Sequence, residues 1–264
     1  MQQLKKQYDT PGSNIDFEKA EGLLNSFLNR NTKNEASGQR PAFAYCPKLT
    51  AHPFWEIEDD PLIKQIHDAL KQNESNIRAE YLNSIKEKKV QATEIRTGKY
   101  FLKPKAWLSI PLGGLNGFNQ QAQQNFPNTL KALEGIKEKI LSAAFIVMEP
   151  DTVLPPHTDT TNAYLVCHLG ILVEDNCGIQ VDRQIREFHE GDIIFFDQSY
   201  PHSAWNKGST SRTNLFITFY HPEITKEERE LIQLFIQKTK FQVLMFLPFL
   251  LFEYGFMKLF SNTK

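Results

Sequence analysis

The run Asp192-Ile193-Ile194-Phe195-Phe196-Asp197-Gln198-Ser199-Tyr200-Pro201-His202-Ser203-Ala204-Trp205-Asn206 decides the fold class. Its first half is a short block of β-branched and aromatic residues, too brief for a helix. Asp, Ser and Pro then mark a turn, and a second short strand follows. The same unit recurs on both sides. Strand signals fall at 106–112, 143–148, 163–173, 178–182, 185–188, 192–196, 203–206 and 213–220, separated by turns such as Asp175-Asn176-Cys177-Gly178 and Asn206-Lys207-Gly208. Short strands at this spacing predict a mainly β sandwich or jelly roll. Neither a parallel βαβ rhythm nor a Gly-rich phosphate loop is present, which sets nucleotide-cofactor folds aside.

Helical spacing of apolar residues predicts flanking helices before this core. One covers 15–30 through Ile15, Leu23, Leu24, Phe27 and Leu28. Two more cover 61–70 and the stretch of Ile77, Tyr81, Leu82 and Ile85, and a fourth covers 129–140. The expected organisation is an N-terminal helix and polar linker over 1–40, a main domain over 41–224, and a C-terminal helix and apolar tail over 225–264. Thr225-Lys226-Glu227-Glu228 is a capping box that opens the last helix. The tail from Phe241 to Phe252 is interrupted by Gln242, Pro248 and Glu253. A spanning helix needs about 20 apolar residues, so the alternatives are a tail packed on protein and an interfacial helix over 241–260 flanked by Lys238, Lys240 and Lys258.

With 264 residues, 41% of them hydrophobic, the chain can bury one good-sized core. Its net charge of −1 offers no general attraction for nucleic acid. Cys46, Cys167 and Cys177 lack CxxC spacing and are odd in number, as in a reduced compartment. Met1-Gln2-Gln3-Leu4-Lys5-Lys6 lacks the apolar core of a signal peptide. A cytoplasmic protein is expected, membrane-associated only if 241–260 lies on a bilayer.

Chemistry concentrates in Pro155-Pro156-His157-Thr158-Asp159. In extended chain, residues two apart share a face, so His157 and Asp159 can reach one ion. His202, bordering another apolar strand, supplies a second imidazole. Two histidines and one carboxylate are the ligand set of non-haem Fe(II) oxygenases. Arg212, on the next strand, can grip a dicarboxylate in a bidentate fashion. Alone, a His-x-Asp pair is more often a surface or strand-end feature, a histidine placed like His168 is more often a satisfied core residue, and a tryptophan placed like Trp107 is more often packing.

Beyond these residues, the flanks resemble the aspartyl/asparaginyl β-hydroxylase family. Met148-Glu149-Pro150-Asp151-Thr152-Val153-Leu154-Pro155-Pro156-His157-Thr158 carries the resemblance, as do Thr161-Asn162-Ala163-Tyr164-Leu165-Val166-Cys167-His168-Leu169-Gly170, Glu190-Gly191-Asp192, Trp205-Asn206, Arg212 and His221-Pro222. It spans roughly residues 50–222 and implies a double-stranded β-helix, cupin-like oxygenase that uses Fe(II), 2-oxoglutarate and O2. His157, Asp159 and His202 then match the metal ligands, Arg212 and His168 the co-substrate contacts, and Trp107 a pocket aromatic. Animal peptide hydroxylases of the family carry glycine in place of Asp159, whereas bacterial lipid A acyl hydroxylases share His-x-Asp. The peptide hydroxylases also place arginine and serine where this chain has Val166 and Ile146. The expected substrate is the β-carbon of Asp or Asn in a peptide or protein. A lipid acyl chain or small molecule is the alternative, and a catalytically silent cupin-like binding module the alternative from another class.

Overall fold

The computed structural model describes residues 15–29, 36–95, 104–115 and 117–238. Helix α1 (Phe17–Asn29) precedes strand β1 (Phe54–Trp55), helix α2 (Pro61–Lys86) and strand β2 (Thr93–Glu94). Strands β3 (Trp107–Gly114) and β4 (Gly117–Phe118), helices α3 (Gln120–Asn125) and α4 (Pro127–Leu133), and a 3-10 segment (Glu134–Lys139) lead into the barrel. The barrel strands are β5 (Ile140–Met148), β6 (Thr152–His157), β7 (Tyr164–Leu172), β8 (Cys177–Val181), β9 (Gln184–Glu187), β10 (Ile193–Phe196), β11 (His202–Asn206) and β12 (Arg212–Tyr220). Helix α5 (Lys226–Lys238) closes the described chain.

Two antiparallel sheets form. The larger runs β1-β10-β7-β12-β5-β3-β2, with β4 on β3, and the smaller runs β6-β11-β8-β9. From β5 onward the chain steps back and forth between them, so that neighbours in one sheet come from distant parts of the sequence. That alternation is a double-stranded β-helix, the jelly roll. Because both faces of the large sheet are covered, β5, β7 and β12 are buried almost throughout, and β5 and β7 are largely apolar. Leu165, Cys167, Leu169 and Ile171 face α2, while Val166 shares the space between the sheets with Phe188, Ile194 and Phe196.

The two helices expected at 61–70 and 77–85 are one continuous α2. Asp60 caps it by accepting from the Leu62 N–H at 2.7 Å, and Pro61 sits in the first turn, where no N–H is needed. Its polar middle, Gln72 to Asn76, lies between buried Leu70 and Ile77 and is an exposed turn of helix, not a break. The helix expected at 129–140 instead starts at Pro127, is held by Glu80 accepting from Asn128 and Thr129, and gives way to the 3-10 segment before β5. The expected capping box is present: Thr225 N–H donates to Glu228 at 2.9 Å, and Glu228 N–H to the Thr225 hydroxyl at 3.2 Å.

All three cysteines are buried and unpaired with one another. No described helix is long and apolar enough to cross a membrane. The tail at 241–260 lies outside the described residues.

Phe145, fully buried between Tyr81 and Phe126 at centroid distances of 4.9 and 5.0 Å, joins the large sheet to its helical cover. Phe145→Ala is expected to lower unfolding stability by about 3–5 kcal/mol, while Val153→Ala, at a half-exposed position on the small sheet, stays within about 0.5 kcal/mol. Urea denaturation of both variants checks this contrast.

Candidate active site

Strands β6 and β11 pair Ala204 with Leu154 and then His202 with His157. The β11 residues are two apart and the β6 residues three apart, so β6 carries a bulge at Pro155-Pro156. Proline has no N–H to donate to a ladder, and an extra residue reverses the phase of the pleat. Without the bulge, His157 would point to the opposite face from Leu154. With it, both histidines face inward and their ring centroids lie 4.2 Å apart.

The two imidazoles are oriented alike. His157 Nδ1 lies 2.8 Å from the Pro155 carbonyl and His202 Nδ1 2.9 Å from the Tyr200 carbonyl, each two residues upstream. A carbonyl only accepts, so both rings carry their proton on Nδ1 and their lone pair on Nε2. Asp159 lies just past β6, its Oδ2 3.6 Å from His202 Nε2. One potential ligand atom from each of His157, Asp159 and His202 falls within 4.8 Å of the others. Burial, then the neighbouring His157, pushes the His202 pKa down to about 4, with Asp159 and the Tyr200 carbonyl acting in the opposite direction. The ring is therefore neutral at physiological pH, the form that binds a metal ion.

Deeper in the barrel lies a second cluster. Arg212, at the start of β12, is 3% exposed, donates from one NH group to the Trp205 carbonyl at 3.2 Å, and lies 4.7 Å from the Phe188 ring centroid. Its Nε finds no partner, and no carboxylate among the described residues pairs with it. Burial lowers its pKa to about 10, which leaves it cationic at neutral pH. His168 stacks on Phe188 at 5.4 Å and meets Phe196 and Phe216 edge-on. Burial first, then Arg212 and His202, holds its pKa well below the usual histidine value. A buried cation without an anion is costly, and the donors left over here suit an incoming carboxylate.

Sequence reasoning overlooked Asn214. Its side-chain amide donates to His168 Nδ1 at 2.9 Å, which places the His168 proton on Nε2, an atom with no partner among the described residues. The signal was an amide-bearing residue two positions after Arg212 on the same strand, hence on the same face. Trp107 opens β3, half-buried, and packs against both the barrel interior and the Ile146 group. Val166 lies within the barrel interior. His52 and His221 instead meet Trp55 edge-on, at 5.0 and 5.1 Å, away from this cluster.

Fold and site together define a jelly-roll protein with a two-histidine, one-carboxylate cluster and a buried cation inside its barrel. A family model described as aspartyl/asparaginyl beta-hydroxylase matches residues 71–222, more than half of the sequence, and the chain belongs to that family of hydroxylases. It is 37% identical over 114 residues to an ornithine lipid ester-linked acyl 2-hydroxylase of Rhizobium tropici, covering 41% of this chain and 40% of that protein. Over 128 residues it is 30% identical to the aspartyl/asparaginyl beta-hydroxylase of Mus musculus, covering 47% of this chain and 17% of the relative. The chain thus spans less than two thirds of the length of either protein. Among solved structures, a cupin 2 conserved barrel domain protein from Salinispora arenicola aligns with a TM-score of 0.31 at 12% identity, over 54% of this chain and 98% of that one.

The His202 environment has a measurable consequence. In the unfolded chain histidine titrates near 6.5, whereas the folded ring takes a proton only near 4. Between those values the unfolded state holds more protons, so this residue's contribution lowers stability as pH falls through that window. NMR titration of the metal-free protein is expected to show His202 still neutral at pH 5. An ordinary pKa near 6.5 would contradict the buried geometry.

Proposed function

We propose that the chain is an Fe(II)- and 2-oxoglutarate-dependent dioxygenase that hydroxylates an unactivated carbon. The observation that carries this reading is the pairing, within one apolar barrel, of the His157, Asp159 and His202 cluster with buried Arg212, which meets no carboxylate among the described residues. The donor set fits: two neutral imidazoles with lone pairs on Nε2, and one carboxylate, suit a divalent iron ion. When bound, iron and 2-oxoglutarate would supply the oxidising power, oxidative decarboxylation of the oxo acid to succinate and CO2 placing one atom of O2 in succinate and the other in the substrate C–H bond.

The chain's own residues provide position and exclusion of water. Arg212 pairs its planar fork with the distal carboxylate of the co-substrate. His168 donates to that carboxylate from Nε2, as Asn214 dictates. Phe188, Phe196 and Phe216 surround His168 with apolar surface, which strengthens these charged hydrogen bonds. Trp107 forms part of the wall beside them.

For the substrate, the family supports the β-carbon of an Asp or Asn side chain in a peptide or protein. A second reading, the acyl chain of a lipid, is favoured by specific observations. Asp159 completes a triad, Val166 and Ile146 are apolar and buried, and an acyl hydroxylase is among the relatives. Such a substrate would bring the protein to a membrane surface. Incubating the purified protein with iron, 2-oxoglutarate and either Asp/Asn peptides or an ornithine-lipid extract, then searching by mass spectrometry for addition of one oxygen, separates the readings. Absence of 2-oxoglutarate turnover under all conditions would leave the catalytically silent binding module.

Variants sharpen the assignment. His157→Ala and His202→Ala are each expected to abolish turnover, and Asp159→Gly to weaken iron binding while retaining residual turnover, because water replaces the carboxylate without its charge. Arg212→Lys is expected to raise the 2-oxoglutarate constant and leave iron affinity unchanged. Iron titration and steady-state kinetics on the four proteins check each outcome.

A further inference from the structure

Asp159 lies beyond the end of β6, so the ladder that aims His157 does not hold it. Its backbone is secured from two sides. The Asp159 N–H donates to the Gln198 carbonyl at 3.0 Å, and the Asp159 carbonyl accepts from the Ala42 N–H at 2.7 Å. The second partner belongs to an N-terminal segment, residues 39–46, which lies outside the region matched by the family model.

This segment touches both loops that carry the cluster. Arg40 N–H donates to the Ser199 carbonyl at 2.8 Å, Phe43 and Ala44 donate to the Thr160 carbonyl at 3.0 and 3.1 Å, and Ala44 forms a parallel bridge with Thr161. Farther on, the Asn162 side chain and the Cys46 backbone exchange two hydrogen bonds, at 2.7 and 2.8 Å. At its start, Gln39 is fully buried and donates from its amide nitrogen to Asp197 Oδ2 at 2.6 Å. The other oxygen of Asp197 accepts from the Ser199 N–H at 2.8 Å, so this carboxylate joins the strap to the turn leading to His202. Burial raises the Asp197 pKa to about 6, against the pull of its hydrogen bonds to Ser199 and Gln39. Gly38, at φ +83 with the Tyr200 ring 3.5 Å from where a Cβ would stand, lets the chain turn into this position.

We propose that residues 39–46 form a strap that belongs to the metal site, with Gln39 as its positioning residue, holding Asp159 in place to act as the third ligand. A buried side-chain pair fastens one end, the Asn162 clamp fastens the other, and the Ala42 hydrogen bond between them fixes the peptide of Asp159. Loosening the strap removes the carboxylate from the cluster while the ladder-held histidines stay. The inference rests on the metal reading above, and metal binding tests the two separately.

The experiment is a double-mutant cycle between Gln39 and Asp159 in the full chain, read by Co(II) affinity and by the visible absorption of the Co(II) protein. Outer contacts to ligands typically contribute roughly 10–100-fold in affinity. Gln39→Met, close to isosteric but without the donor, is expected to weaken Co(II) binding by about tenfold or more on that scale and to shift the spectrum towards that of Asp159→Gly. In the Asp159→Gly background the same change is expected to have little further effect, because the strap acts through that carboxylate. Gln39→Met with unchanged affinity and spectrum, or with a loss that simply adds to that of Asp159→Gly, overturns the strap inference. Should Asp159→Gly itself bind Co(II) as tightly as the parent, the three-ligand reading fails instead. Ala42→Ser, which keeps the N–H, is expected to bind as the parent does, and weakening there would equally overturn the proposal. Circular dichroism at the titration temperature confirms that each variant is folded before its affinity is compared.

Discussion

The Pro155-Pro156 bulge in β6 is the constraint on which the candidate site depends. Strand pairing enforces a two-residue alternation of faces, and Leu154 is committed to the barrel interior by its apolar neighbours. His157, three residues on, can face the same way only if the ladder slips by one. The prolines permit that slip, and the Pro155 carbonyl then accepts a hydrogen bond from His157 Nδ1–H. One irregularity thus sets both the face and the tautomer of the first histidine. On β11 the Tyr200 carbonyl fixes the tautomer of His202 in the same way.

Arg212 is buried in the barrel without a counter-ion among the described residues. Arg212 and His168 share Phe188 as an apolar neighbour, and neither meets a carboxylate among the described residues. Desolvating a guanidinium in this way works against folding unless an anion returns the lost interaction. A protein that kept Arg212 only for stability would do better with an apolar residue. The placement of this cation is therefore an argument about binding, and it agrees with the chemistry of the cluster nearer the surface.

The sequence alone determined much of this. Local composition revealed most of the barrel strands, because buried β-branched and aromatic runs bounded by Asx, Gly and Pro have few other stable conformations, but it passed over β6 (Thr152–His157), whose two prolines do not read as a regular strand. Their number and spacing left a sandwich or jelly roll, and the family resemblance chose the jelly roll and singled out His157, Asp159 and His202. The capping box at Thr225 and Glu228 was legible because it is a contact between residues three apart.

Tertiary structure alone decided the rest, because the remaining features depend on contacts between distant residues. A polar stretch such as Gln72 to Asn76 reads as a break until the helix is seen with that turn exposed to solvent. Asn214 gains meaning only when β12 is paired with β7, which brings its amide to His168. Gln39 lies 158 positions from Asp197 in sequence, and no local pattern signals a hydrogen bond across that distance. Residue types and short-range periodicity specified most of the barrel strands and the candidate site residues. The face to which His157 points was set by the bulge and the cross-strand register, which exist only once the barrel has closed.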